Sequence, residues 1–455
     1  MLGRGIGGRV GGEMAPLFRH VRCALLGVGG VLCCGSSAWG IIFYDTADVT
    51  HNREVAPGGA WAGSGWQWQG TFGNYLGTMI SPRHFITAKH FGVDSTFINR
   101  KAYFTGAGSD AIYHTNPHVN GGQGWWHLSG TDFRIFEIYG EFADYAPLYT
   151  KTNEVGKELV VFGRGRQRGA EVQSLGQTRG WKWGGDDRRA RWGVNDVDSI
   201  SNLGVDYGDT LVFDFDAVAG QEECQTALFD SGGGVFIKDG PTWKLAGINL
   251  AVDRYYDTNN VCGDESHFDA AMFNAAGFYA GQDCSWLLAT ALQSRSFVSR
   301  ISGAAGTIQG IIQSAIDDAA LTSTERYEDW IAGYGVVADD LPEENADGDQ
   351  WDNLVEYLGV GDPSESGDVA PFKLIPGVGV LRFEVRENLS AASLGMTWAI
   401  TESTTPGLGG FMPVVGMSVI SSTVDRVQGV RNWVYQIPMP AAPETFYRLE
   451  VTLAP

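Results

Sequence analysis

The chain has 455 residues, which is too long for a single ordinary core and predicts two or three domains. Its 53 acidic and 32 basic side chains give a net charge of -21, which argues against a nucleic-acid partner, because phosphates require a basic surface. The 63 glycines and 15 tryptophans, set among short apolar runs, favour turn-rich β structure over helical bundles.

The N-terminus has the pattern of an export signal. Basic residues at 19–22 precede the apolar run 23–32, and Ser36-Ser37-Ala38 offers small residues for cleavage. The apolar run is too short for a permanent bilayer span. We therefore expect a signal peptide over 1–38, a secreted or periplasmic protein, and no membrane span in the mature chain.

Removal of that segment leaves three cysteines, Cys224, Cys262 and Cys284. An exported chain can oxidise two of them. We predict a disulfide between Cys224 and Cys262, because this pair brackets a glycine-rich turn around residue 231 and would brace a pocket there. Cys284 is left without a predicted role.

Changes in residue pattern divide the chain. Short apolar strands between turns predict an antiparallel β domain over 39–302, following the signal peptide. Helical spacing of isoleucines predicts a helical connector over 303–340. An aspartate-rich segment occupies 341–368, and alternating strands over 369–455 predict a small C-terminal β-sandwich.

Three segments supply the parts that acyl transfer by a hydroxyl needs: a nucleophile, a base and a carboxylate that orients the base. Ser231 lies in a tight glycine-rich turn before a strand, His90 follows the end of a strand, and Asp132 begins one. The sequence therefore predicts Ser231 as nucleophile, His90 as general base and Asp132 as orienting carboxylate.

At these segments the chain resembles the chymotrypsin/trypsin-like serine proteases, in the order His, Asp, Ser. Phe229-Asp230-Ser231-Gly232-Gly233-Gly234 is similar to the family's Gly-Asp-Ser-Gly-Gly-Pro, and Thr87-Ala88-Lys89-His90-Phe91 is similar to its Thr-Ala-Ala-His-Cys. The resemblance covers roughly half of the chain. It implies a mainly β fold of two packed six-stranded antiparallel barrels, a site in the cleft between them, and a polypeptide substrate.

The resemblance also assigns the oxyanion hole to the backbone amides of Phe229 and Ser231. Phe229 stands where the family has glycine, and a bulky residue resists the backbone angles that glycine adopts freely. Two alternatives stay open: Phe229 is strained into place, or the hole forms only when substrate binds. By the family's pattern, Asp230 would pair with a new N-terminal ammonium, for which Gly40-Ile41 is the candidate cleavage site.

The family's pattern puts Gln225 at the floor of the specificity pocket, with Leu250, Ala251 and Val252 on its wall. Gln225 carries no charge, and Val252 narrows an entrance that glycine would leave open. Cleavage after Lys or Arg is therefore disfavoured. We predict a small or medium uncharged residue at P1, the substrate residue whose carbonyl is attacked.

The acidic segment contains an EF-hand-like loop that begins at residue 345 and ends at residue 356. Its oxygen donors fall at the spacing that suits calcium, although Gln350 replaces the customary glycine; a merely solvated acidic loop is the alternative. The segment resembles the calcium loops near the C-termini of many large exported bacterial proteins, which supports a bacterial origin. The predicted structural calcium ligands are Asn345, Asp347, Asp349, Trp351 and Glu356.

The predicted function is thus an exported serine endopeptidase that forms an acyl-enzyme and needs no cofactor for catalysis. The alternative is a binding or adhesion protein that kept the protease fold with weakened activity, attached to a surface or polymer by its C-terminal domain. Phe229 favours that alternative, and the complete set of His90, Asp132 and Ser231 favours the enzyme. An esterase that uses the same site is a third hypothesis.

Overall fold

The computed structural model describes most of the chain beyond the predicted signal peptide, which itself lies outside the described residues. The described residues are 40–100, 104, 109–282, 284–289, 293–320, 323–332, 334, 341, 345–346, 352–361, 363–364, 370–389, 396–404, 411–425, 428–439 and 445–453.

Strands dominate the chain before residue 301, as the short apolar runs predict. In chain order they are β1 (Ile42–Phe43), β2 (Gln69–Phe72), β3 (Tyr75–Met79), β4 (His84–Ala88), β5 (Thr96–Asn99), β6 (Ala111–His114), β7 (Trp126–His127), β8 (Phe133–Glu137), β9 (Glu158–Gly163), β10 (Arg166–Ser174), β11 (Gln177–Asp186), β12 (Arg191–Asp196), β13 (Ser199–Asn202), β14 (Asp209–Asp214), β15 (Cys224–Gln225), β16 (Gly234–Asp239), β17 (Thr242–Val252), β18 (Tyr255–Asp257), β19 (Phe268–Met272), β20 (Tyr279–Ala280), β21 (Leu287–Leu288) and β22 (Arg295–Arg300).

Two large antiparallel sheets form most of this region. In the described residues, sheet I has the order β6-β5-β2-β3-β4-β8-β7 and sheet II has the order β12-β9-β16-β17-β22-β14-β13. A further sheet, β10-β11-β19-β18-β20-β21, and the pair β1-β15 complete it. The predicted mainly β, antiparallel fold class is confirmed, with seven strands in each large sheet.

Aromatic side chains fill the space between sheets I and II. Phe85 and Phe136 of sheet I share one core with Phe162 and Phe236 of sheet II, and none of the four is more than 1% exposed. Burying a side chain of this size stabilises the fold by roughly 1.5–3 kcal/mol. This packing fixes the two sheets against each other, and so fixes the loops at their edges.

The longer helices follow β22, close to the predicted change from strand to helix pattern. The α-helices of the described chain are α1 (Val119–Gly122), α2 (Ile301–Ala320), α3 (Ser323–Ala332) and α4 (Asn353–Gly359). Helix α2 begins directly after β22 and buries Ile301 and Ile308 in the core that the two sheets share. None of the described helices has both the length and the hydrophobicity that crossing a membrane requires.

A second β region lies at the C-terminal end. Its strands are β23 (Phe372–Gly377), β24 (Val380–Asn388), β25 (Thr397–Ser403), β26 (Met412–Pro413), β27 (Ser418–Asp425), β28 (Val430–Pro438) and β29 (Phe446–Thr452). They form the sheets β23-β24-β28-β27 and β26-β25-β29. The sheets pack face to face through Phe383 and Tyr447, whose ring centroids are 5.0 Å apart, and through Trp398 and Tyr435 at 5.6 Å.

The predicted disulfide between Cys224 and Cys262 is wrong. Cys262 is bonded to Cys284, and both lie in exposed loops. Cys224 is a free thiol at 0% exposure, packed with Leu159 and Val161 in a core cluster of sheet II. An apolar strand position suits an unreactive buried thiol, whereas two loop cysteines can meet without disturbing a core.

Candidate active site

His90 and Asp132 are brought together by the pairing of two neighbouring strands. β4 and β8 run antiparallel, with Ala88 opposite Phe133. The residue two positions beyond β4 and the residue one position before β8 therefore lie at the same edge of sheet I. The amide of Lys89 donates to the Asp132 carbonyl at 2.7 Å, which holds the two loops together.

Ser231 lies in the turn that leads into β16 of sheet II, and this turn packs directly against sheet I. Gly232 has a φ of +82°, and a Cβ there would stand 2.3 Å from the Leu76 carbonyl oxygen. Only glycine fits such a position, because a side chain would meet both backbone strain and a clash. The Gly232 amide also donates to Asn249 of β17 at 3.1 Å. The turn is thus fixed from both sheets.

The three predicted residues form one hydrogen-bonded chain. His90 Nδ1 lies 2.6 Å from Asp132 Oδ2, and His90 Nε2 lies 2.9 Å from Ser231 Oγ. The Asp132 side chain is 1% exposed, whereas that of His90 is 32% exposed. An ionised carboxylate can only accept a hydrogen bond, so the His90 hydrogen is on Nδ1. Nε2 is then free of hydrogen and can accept the proton of the Ser231 hydroxyl.

Arg134 holds the loop that carries His90, and sequence reasoning missed it. From β8 its guanidinium donates to the carbonyls of both residues that flank His90: Nη1 to Phe91 at 2.9 Å and Nη2 to Lys89 at 2.8 Å. Nε donates to His127 at 2.7 Å. The available signal was an arginine between the apolar residues Phe133 and Ile135 of a fully buried strand, since such a residue needs specific partners.

Phe229 has a positive φ, a backbone angle that glycine adopts freely. Its φ is +80°, in the left-handed region, which corresponds to the first of the two alternatives, strain held in place. The Phe229 ring stacks under the Arg188 guanidinium, whose Cζ lies 3.6 Å from the ring centroid. Within the described residues, neither the Phe229 nor the Ser231 amide donates a hydrogen bond to another protein group.

Asp230 is tied to backbone amides beneath this turn. Its carboxylate is buried and accepts from Gly165 N through Oδ1 at 2.6 Å and from Ala227 N through Oδ2 at 2.7 Å. Burial raises the pKa of Asp230 to about 7, and the amide hydrogen bonds oppose that rise. Both carboxylate oxygens are engaged by amides, the role that the family resemblance gives to an N-terminal ammonium.

A cavity of about 200 Å³ opens beside Ser231 and His90. Leu250, Ala251 and Val252 lie on its wall, where the sequence predicts them. Gln225 does not line it. The Gln225 side chain is 0% exposed, and its Nε2 donates to the Asp253 carbonyl at 3.2 Å. The other lining residues are Trp183, Thr226, Ala227, Leu228, Asp230, Asn249 and Arg254.

Only the two ends of the predicted calcium loop lie in the described residues. Asn345 is exposed, and Glu356 is 1% exposed in α4. Asn353 closes the loop: its Oδ1 accepts from Ala346 N at 3.2 Å and its Nδ2 donates to the Leu341 carbonyl at 3.0 Å. The remaining predicted ligands, Asp347, Asp349 and Trp351, lie outside the described residues.

Comparison with solved structures gives a distant likeness, and comparison with family models and curated proteins gives none. No protein-family model matches the sequence, and no curated protein matches it. Among solved structures, the chain is similar to neuropsin, a serine protease expressed in the limbic system of mouse brain, at 13% identity and a TM-score of 0.33. The match covers 57% of this chain and 98% of neuropsin. A likeness at this distance carries no information about activity or substrate.

Proposed function

We propose that the protein is an exported serine endopeptidase that hydrolyses peptide bonds through an acyl-enzyme. The observation that carries the proposal is the hydrogen-bonded chain from Asp132 through His90 to Ser231, at 2.6 and 2.9 Å, facing a cavity of side-chain size. This is the set of groups and contacts that nucleophilic acyl transfer requires.

In the proposed mechanism, Ser231 Oγ attacks the P1 carbonyl carbon while its proton passes to His90 Nε2. The oxyanion that forms accepts hydrogen bonds from the amides of Phe229 and Ser231. The carbon–nitrogen bond then breaks, and the leaving amine takes the proton from His90. Water repeats the sequence on the ester and restores Ser231. Asp132 stays ionised and stabilises the protonated ring of His90.

Secretion or a periplasmic location is part of the proposal. It rests on the signal-like pattern of the N-terminus and is supported by the disulfide between two exposed loop cysteines, Cys262 and Cys284, since such bonds persist in oxidising compartments. Bound calcium is proposed as a structural ion, with no part in the reaction.

Of the two observations that predict an uncharged P1 residue, only the apolar wall is found in the cavity. Gln225 does not line the cavity, so the prediction depends on the apolar wall formed by Leu250, Ala251 and Val252. Exclusion of Lys and Arg is better supported, because the guanidinium of Arg254 lines the same cavity and would repel a second cation. The alternative of a binding protein with weakened catalytic activity loses support, since Phe229 already has the positive φ that the oxyanion hole requires.

The test compares the parent protein with Ser231→Ala, using Ser95→Ala as an exposed control. We expect casein hydrolysis by the parent and by Ser95→Ala, and a loss of up to roughly a millionfold in Ser231→Ala. A serine-directed covalent inhibitor should add its mass to Ser231 alone. Cleavage of simple esters without any peptide hydrolysis would favour the esterase, and no hydrolysis and no labelling would favour the binding protein.

A further inference from the structure

Arg254 is the charged residue of the cavity whose side chain makes no hydrogen bond within the described part of the chain. Three titratable residues besides the serine line the cavity: His90, Asp230 and Arg254. His90 is committed to Asp132 and Ser231, and the carboxylate of Asp230 is turned into the interior, where amides bind both its oxygens. The substrate side chain therefore meets one cation and no accessible carboxylate.

The guanidinium of Arg254 is held in position by rings rather than by a close ion pair. Its Cζ lies 4.1 Å from the centroid of the Tyr255 ring and 5.5 Å from that of Trp183. The carboxylate of Asp269 forms an ion pair with it, at 3.7 Å from Nη1, without a hydrogen bond. Among the described residues the guanidinium donates no hydrogen bond, so its planar set of N–H donors stays available.

A neighbouring arginine shows the contrast. Arg295 also lines the adjoining cavity, but its Nε donates to Asp253 at 2.7 Å. The carboxylate nearest in sequence to Arg254 is thereby already used. The backbone of Arg254 is also fixed, because its carbonyl accepts from the Ala270 amide at 2.9 Å and the amide of Asp253 donates to the Arg295 carbonyl at 2.8 Å.

We propose that Arg254 makes the protein selective for substrates with an acidic side chain, glutamate or aspartate, at P1. This inference rests on the proposed endopeptidase activity and names its substrate class. A carboxylate in the cavity would accept paired hydrogen bonds from the guanidinium, the strongest geometry available to that pair. The apolar wall of Ala251 and Val252 and the ring of Trp183 would pack on the methylene groups of the side chain.

The physical reason for discrimination is the cost of removing water from a guanidinium that makes no hydrogen bond within the described part of the protein. When a neutral P1 side chain fills the cavity, it removes water from the guanidinium and returns no full negative charge. A lysine or arginine at P1 would add repulsion between like charges. The sequence-based prediction of an uncharged P1 residue is the competing outcome, and the two predictions differ for a single substrate pair.

The test uses internally quenched peptides that differ only at P1: Glu, Gln, Asp, Asn, Leu and Lys. For the parent protein we expect kcat/KM for Glu to exceed that for Gln by roughly tenfold to a hundredfold, the range for hydrogen bonds to charged groups. Arg254→Gln should bring the Glu/Gln ratio to about one. Arg100→Gln, a control at a partly exposed arginine that lines neither cavity, should leave the ratio at the parent's value.

The outcomes separate this inference from the proposed function. Equal or better cleavage of the Gln or Leu peptide by the parent protein would overturn acidic selectivity while leaving the endopeptidase intact, and it needs no variant. A complete lack of peptide hydrolysis and of Ser231 labelling would instead refute the endopeptidase. Labelling by the serine-directed inhibitor measures how many Arg254→Gln molecules are correctly folded. If these molecules kept the parent's Glu/Gln ratio, Arg254 would not determine the selectivity for acidic substrates.

Discussion

Replacing Phe229 by glycine tests whether the oxyanion hole is already formed in the parent protein. Three contributions to stability can be worked from the structure. Glycine at φ +80° removes about 1–2 kcal/mol of left-handed strain. Loss of the ring removes its stacking with Arg188, worth about 0.5–2 kcal/mol between two half-buried side chains. Greater freedom of the unfolded chain costs about 0.4–1 kcal/mol. The unfolding free energy should therefore change by no more than about 2 kcal/mol.

The turnover of Phe229→Gly should not rise, as it would if the parent protein lacked an oxyanion-hole donor. Because the Phe229 backbone already has the conformation of a glycine, Phe229→Gly gains no new donor, and turnover should stay level or fall through added flexibility. The assay is turnover on one peptide ester, normalised to active sites titrated with the covalent inhibitor, with thermal unfolding measured alongside. Phe229→Ala is the control, since it loses the ring but keeps most of the strain.

One result would refute this reasoning. If Phe229→Gly raised kcat by roughly a hundredfold with KM nearly unchanged, the parent hole would lack a donor, because oxyanion donors act mainly in the transition state. If Phe229→Ala and Phe229→Gly were equally stable, the strain at this position would only match the cost of glycine's greater freedom in the unfolded chain, about 0.4–1 kcal/mol.

Three further predictions concern the calcium loop, a buried acid and the loop of His90. Calcium should raise the melting temperature of the chelated protein, since a ligand of the folded state stabilises it, and the rise should vanish in an Asp347→Ala, Asp349→Ala double variant; no rise in the parent would remove the site. Burial raises the pKa of Glu223 to about 8, so the folded state keeps a proton that the unfolded chain loses, and stability should fall between about pH 4.5 and 8. Urea unfolding of Glu223→Gln should show a flatter pH dependence, and an identical slope would contradict this. Arg134→Lys should lower kcat by roughly tenfold to a hundredfold with little change in KM, because it loosens the loop of His90; a change in KM alone would count against a positioning role.

The sequence predicts the parts of the site that depend on local structure. The turn of Ser231 requires glycine at the next position, and His90 and Asp132 each lie beside a strand end, so short patterns identify them. Pairing of β4 with β8 then brings His90 and Asp132 together without further information. Apolar periodicity likewise predicts the antiparallel β class and a change to helix at residue 303, two residues after the helix begins at Ile301.

The sequence predicts only part of the cavity beside Ser231, the wall of Leu250, Ala251 and Val252, because the rest of its lining depends on tertiary register. β17 has an irregularity between Asn249 and Ala251, which shifts the strand's pairing with β22 and alters which positions face the cavity. Counting back from Ser231 selects Gln225, which the fold turns towards Asp253 instead. Arg254 enters the cavity from beyond the wall segment, where no local pattern marks it. The disulfide partner of Cys262 was mispredicted for the same reason, since the fold and not a local pattern brings the loops of Cys262 and Cys284 together.

Because the protein has a net charge of -21, a preference for acidic substrates would have to come from a short-range contact with Arg254 and not from the overall electrostatic field. At long range this charge repels an acidic peptide, and salt screens that repulsion over about 10 Å at 0.1 M. Inside the cavity, Arg254 is 21% exposed and meets the side chain at contact distance, where screening is weaker. Added salt should therefore raise kcat/KM for acidic peptides while the Glu/Gln ratio changes much less. A ratio that collapsed to one at high salt would show that the preference arises from the surface field and not from Arg254.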